Sequence, residues 1–181
     1  MQKSLRFLST VSEMLTQVNP EAMESACQLI RAVKARDNKV YCFGNGGSAA
    51  ICGHLAIDLA NACAIRASSW PDTSTLTCLA NDYGYECAIS KYLDRHFDNG
   101  DLLILVSSSG QSKNILNAAS MVRDYSDSKI IGFSGFEQNN PLRQLADVEF
   151  WVESTNYNVI ELIHQAWTLA LIEQLRMEIS T

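Results

Sequence analysis

The chain has 181 residues, 47% of them hydrophobic, and a net charge of -6 from 14 basic and 20 acidic side chains. This is enough for one sizeable core, and a single domain over 1–181 is the expectation. The acidic balance, with no long run of either sign, argues against direct nucleic-acid binding and against docking on a membrane, and leaves a small soluble ligand.

The segment after Met1, "QKSLRFLSTVSEM", lacks the apolar stretch of a signal peptide, and no later segment reads as a membrane span, so a cytoplasmic location is expected. Residues 3–18 and 21–37 carry apolar side chains at helical spacing on either side of "NP", which predicts a helical hairpin. The period then changes. "KVYCF" (39–43), "LLILVS" (102–107), "KIIGFS" (129–134) and "VEFWV" (148–152) read as strands, with a weaker one at 64–69. Helices are predicted between them at 48–62, 83–97, 112–125 and 138–146. The last, over 156–179, carries Ile160, Ile163, Trp167, Leu171 and Leu175 on one stripe. Strands apolar on both faces that alternate with helices predict an α/β sandwich built on a parallel sheet. The six cysteines form no C-x-x-C pair and read as buried free thiols.

Ligands of such sheets sit beyond the carboxyl ends of the strands. Two loops there look equipped. "GNGGS" (44–48) lets the backbone of Gly46, Gly47 and Ser48 approach an anion at a helix start, and "SSSGQS" (107–112) presents Ser107, Ser108, Ser109 and Ser112. Neither contains Lys or Arg, which suits a phosphate monoester held by neutral donors. Ordinary strand-to-helix turns use the same residues, but two such loops in one sheet favour a ligand. Gly44, Gly46 and Ala49 also fit a dinucleotide fingerprint, yet the next strand ends in "ASSW" without the acidic residue that a ribose requires.

With "LANDYGYE" (79–86) between these two loops, the chain resembles the sugar isomerase (SIS) domain family, and within it the phosphoheptose isomerase group. The resemblance implies a five-stranded parallel sandwich of flavodoxin-like type. It also implies a homotetramer with sites between subunits, and a sugar phosphate as ligand. Carried over by position, Ser48, Ser107, Ser109 and Ser112 would hold the phosphate, and Asn45 and Asp82 the sugar hydroxyls. The group's glutamate position is Asp58, and its first-helix histidine is His54. The glutamine, histidine and aspartate expected on the last helix align with Ile160, Thr168 and Tyr157. Threonine cannot carry a proton near neutral pH.

His164 shares a helical face with 160 and 168 and is the candidate replacement, with Asp58 as base and His54 beside it. Asp58 is read onto the apolar stripe of Ile51, Leu55 and Ala62, a poorly hydrated setting for a base. No cofactor is obligatory, although His54, Asp58 and His164 together make a donor set that zinc can use. Two functions stay open: a ketose–aldose phosphate isomerase acting through an enediol, and a sugar-phosphate-binding regulator or scaffold that has lost turnover.

Overall fold

The computed structural model describes residues 2–177. Helices α1 (Lys3–Leu15) and α2 (Pro20–Ala35) form the expected hairpin. The Asn19 side chain caps α2 by accepting hydrogen bonds from the Glu21 and Ala22 amides, with Pro20 at the first helical position, where its missing N–H has no cost.

Five strands follow: β1 (Val40–Gly44), β2 (Ala67–Ser68), β3 (Leu102–Val106), β4 (Lys129–Ser134) and β5 (Val148–Trp151). They form one sheet in the order β2-β1-β3-β4-β5, every neighbouring pair parallel. Between β1 and β3 the chain departs in opposite directions, which makes this pair the switch point where a crevice opens. Both candidate loops leave from it.

Strand residues alternate between two cores, as the period of two requires. Val40, Cys42, Ile104 and Val106 face α1, α2, α3 (Gly47–Cys63) and α8 (Tyr157–Met177). Tyr41, Phe43, Leu103 and Leu105 face the other layer. That layer contains α4 (Thr73–Tyr83), α5 (Ala88–His96), α6 (Lys113–Val122) and α7 (Pro141–Leu145).

Two expectations change. The helix foreseen at 83–97 is broken by Gly84, whose φ of 81° suits glycine alone, and α5 starts only after a short 3-10 turn at Tyr85–Cys87. Ahead of it lies α4, which had not been anticipated, capped by the Asp72 carboxylate on the Thr75 amide. Cys27, Cys42, Cys52 and Cys63 are buried thiols, but Cys78 is exposed and Cys87 half-buried. The last helix reaches Met177 as described; residues 178 and 179 of its predicted span lie outside the described residues.

Candidate active site

The β1–α3 and β3–α6 loops lie side by side because β1 and β3 pair in register, Gly44 opposite Val106. The loops are bolted together by side chains. Asn45 and Asn114 exchange two amide hydrogen bonds, at 3.0 and 2.8 Å, and the Tyr85 hydroxyl donates to the same Asn45 oxygen at 2.8 Å. Asn45 therefore has one N–H left to offer a ligand, and its main work is to hold the two loops at a fixed separation.

Between them is a cleft of about 110 Å3, lined by Ser48, Ser107, Ser108, Ser109 and Ser112, with Tyr157 and Glu161 from α8 closing one side. A larger hollow of about 400 Å3 lies between α4 and α5 near Arg95, away from the switch point. Three other helices are capped by their own side chains, α2 by Asn19, α4 by Asp72 and α7 by Asn140, whereas α3 and α6, which both start at the cleft, have no side-chain cap. Uncapped N-terminal amides of two helices converging on a pocket of hydroxyls can receive an anion, with the Glu161 carboxylate as the one charged group in the wall.

The serine loop is held rigid from below. Ser107 Oγ donates to Ser112 Oγ at 3.3 Å, Ser109 Oγ accepts from the Gln111 amide at 3.2 Å, and Gly110 turns the chain at φ 65°. The Gly110 carbonyl accepts from the Leu142 amide at 3.1 Å, which anchors the loop on the start of α7.

Farther along α3, His54 and Asp58 are one turn apart and meet, His54 Nε2 lying 3.2 Å from Asp58 Oδ2. On its other side His54 Nδ1 is 3.4 Å from Gln165 Nε2 on α8. An amide nitrogen only donates, so Nδ1 is the acceptor and the ring proton sits on Nε2, facing the carboxylate. Asp58 is not on the core stripe as expected. Cys52, Leu55, Ala56, Leu59 and Cys63 make that stripe, Ala62 is exposed, and the Asp58 side chain remains 27% exposed at its margin. A carboxylate and an imidazole in contact and both open to solvent have the chemistry to exchange protons with a ligand.

Residues 6–135 match the SIS domain family. The chain belongs to that family.

Within it the SIS chain is phosphoheptose isomerase-like. It is 33% identical over 150 residues to the phosphoheptose isomerase of Aliarcobacter butzleri, covering 80% of this chain and 78% of that one. It is 32% identical over 174 residues to that of Methylococcus capsulatus, covering 92% and 88%. The solved phosphoheptose isomerase of Neisseria gonorrhoeae superposes with a TM-score of 0.82 at 26% identity, covering 97% and 94%.

The last helix of this SIS domain corrects the sequence reading. His164 is fully buried, its Nε2 is 3.1 Å from the Ser134 carbonyl and its ring stands edge-on to Phe133, so it is a core residue and not a cleft residue. Ile160 and Thr168, on the same face, are buried too. The face toward the cleft and α3 instead carries Tyr157, which the sequence reading had named, together with Glu161 and Gln165, which it missed; their spacing of four was the available signal. Asp82 is exposed on α4, accepts from Asn81 and Cys78, and does not line the cleft. His54, Asp58 and His164 do not come together, and among the described residues no three His, Cys, Asp or Glu side chains converge as metal ligands, so the residues present do not fit zinc.

Burial without an ion partner pushes the His164 imidazole down to about 4. Because the folded value lies below that of the unfolded chain, the unfolded state binds the extra proton between about pH 6.5 and 4. Stability conferred by neutral His164 is thus complete above pH 6.5 and falls as pH drops toward 4, by roughly 3 kcal/mol. Urea unfolding followed from pH 7 to 4 is expected to show this loss in the wild type and to lack it in His164→Met. An equal slope in both would show that the imidazole binds its proton alike in the folded and unfolded chain.

Proposed function

We propose that the protein is a sugar-phosphate isomerase that interconverts sedoheptulose 7-phosphate and an aldose heptose 7-phosphate through an enediol. The observation that carries this reading is a distance: one helix starts at the oxyanion receptor and carries the proton-transfer pair farther along. Ser48 to His54 is six residues and Ser48 to Asp58 is ten, a rise of about 9 and about 15 Å along α3. With the phosphate ester at Ser48 and the serine loop, a short triose chain falls well short of the pair, whereas an extended seven-carbon chain brings its carbonyl end to it.

Asp58 then accepts the proton from the carbon beside the carbonyl, while His54 Nε2–H donates to the carbonyl oxygen. The resulting enediol collapses to the aldose when Asp58 returns its proton to the former carbonyl carbon and the hydroxyl on the adjacent carbon gives its proton to the imidazole, becoming the new carbonyl. Gln165 acts as a positioning residue, since its N–H on Nδ1 keeps the mobile proton on Nε2, beside the Asp58 carboxylate.

Two features support a neighbouring copy completing the site, in line with a homotetramer. The cleft of about 110 Å3 is small beside the roughly 300 Å3 at which ligand pockets usually begin. Ile57 on α3 and Leu162 and Leu169 on α8 are exposed apolar side chains that flank the pair and the cleft. Among the described residues no helix is long and apolar enough to cross a membrane, and the reading places the enzyme in the cytoplasm.

The test is to incubate the protein with sedoheptulose 7-phosphate, fructose 6-phosphate and ribulose 5-phosphate and to follow aldose formation. The expected order of kcat/KM is heptulose above hexulose above pentulose, with at least tenfold between the ends. Tight binding without conversion of any of them would instead establish the regulator or scaffold. Of the three departures that favoured that rival, Ile160 and Thr168 face the core, whereas Tyr157 lines the cleft.

A further inference from the structure

The cleft read above as the phosphate receptor contains one charged side chain, and it is negative. Glu161 reaches from α8 onto the start of α3, so close that a methyl group at Gly47 would stand 2.6 Å from its carboxyl carbon and 2.8 Å from Oε1. It lines the same small space as Ser48 and the serine loop, and no Lys, Arg or His lines it with them. Among the described residues no hydrogen bond or ion pair engages its carboxylate, so it is not there to complete a structural bridge. An oxyanion seated on the loop amides in so confined a space lies against this carboxylate, with no cation to separate the two.

Two fully ionised oxyanions side by side repel, whereas one that retains a proton donates it to the other as a hydrogen bond. Phosphate monoesters carry or lose their second proton near pH 6 and can meet this demand; sulfate carries no proton in water at any pH compatible with folding. We propose that Glu161 is a specificity-determining residue that makes the cleft select an oxyanion bearing a proton, accepting a hydrogen bond from a singly protonated phosphate ester and excluding fully ionised groups such as sulfate. The proposal rests on the sugar-phosphate reading and adds the charge state in which that ligand is held.

The other titratable groups around α8 leave this role to Glu161. Tyr157 shares its helix and the cleft wall. From α3, His54 and Asp58 engage each other and Gln165, one turn of α8 farther on. From α2, Glu24 meets Gln174 at the opposite end of the helix, and on α1 Lys3, Arg6 and Glu13 are exposed. The serine loop contributes no titratable side chain.

The experiment is calorimetry of sedoheptulose 7-phosphate binding at pH 7.5 in two buffers of different ionisation enthalpy, followed by displacement with inorganic phosphate and with sulfate. Wild-type protein is expected to take up about one proton on binding, and phosphate to displace the sugar at least tenfold more effectively than sulfate. Glu161→Gln, which keeps the shape and breaks no internal bond, is expected to take up none, to bind the sugar phosphate as tightly or more tightly, and to treat the two ions within about twofold. Sugar-phosphate binding by the wild type without proton uptake, or uptake and ion preference unchanged in Glu161→Gln, overturns the proposal and leaves the isomerase reading standing. Failure of both proteins to bind the sugar phosphate overturns both.

Discussion

Replacing Asp58 by Asn is expected to lower kcat by about 10²- to 10⁴-fold while sugar-phosphate affinity changes by no more than a few-fold, the range that general acid–base catalysis supplies. The amide retains an oxygen to accept from His54 Nε2 at 3.2 Å, so the pair's geometry survives, but it cannot take a proton from carbon. The phosphate donors sit at the other end of the rise along α3 and do not sense the change. Steady-state assay with binding measured in parallel separates the two effects. Asp58→Glu restores a carboxylate and is expected to recover most of the activity. Full turnover by the Asn variant would place the base elsewhere and remove α3 from the mechanism.

The second large effect concerns the loop that grips the phosphate. Gly110→Ala is expected to destabilise the protein by about 3 kcal/mol, a fall of about 10 °C in Tm, and to abolish detectable sugar-phosphate binding. Its φ of 65° is costly for any residue with a side chain, and the added methyl would overlap the Asn140 amide. Asn140 cannot withdraw. It is buried, its Nδ2 donates to Ser134 Oγ, the Gly135 carbonyl and the Glu137 carbonyl at 3.0, 3.2 and 2.9 Å, and its Oδ1 caps α7 at the Arg143 amide. The loop must therefore move instead. Gly46→Ala is the control: its φ of 53° with ψ of -122° also strains a residue with a side chain, but nothing lies within 4 Å of the new methyl, so backbone strain of about 1–3 kcal/mol is expected without a clash. Thermal unfolding of the two variants isolates the contribution of the Asn140 brace, and equal losses would show that strain alone operates.

The sheet was legible because parallel strands covered on both sides carry near-continuous apolar runs, as "LLILV" and "KIIGFS" do. The loops were legible because only glycine and small hydroxyl residues allow a backbone to turn and present amides there. Helix α4 was not, since "TSTLTCLANDY" buries only Leu79 and owes its helicity to the Asp72 cap and to packing against α5. The weak strand read at 64–69 is present as β2, shortened to two residues and held by its pairing with β1. On α8 the decisive quantity was rotation about the helix axis. His164 lies four residues after Ile160, three before Trp167 and seven before Leu171, so the core stripe already contained it; a functional role at that position conflicted with the pattern around it. Which polar side chains of the opposite face reach α3 depends on helix packing, which one strand of text does not encode.

Helix α8 divides its circumference between hydrocarbon and ligand, with Ile160 on one side and Glu161, the next residue, on the other. A slide of a single position would rotate every side chain by about 100° and exchange oil for charge along the whole wall. This segment is therefore closed to insertions and deletions, and new chemistry in descendants of this chain has to come by swapping individual groups at 157, 161 and 165 on an unchanged axle.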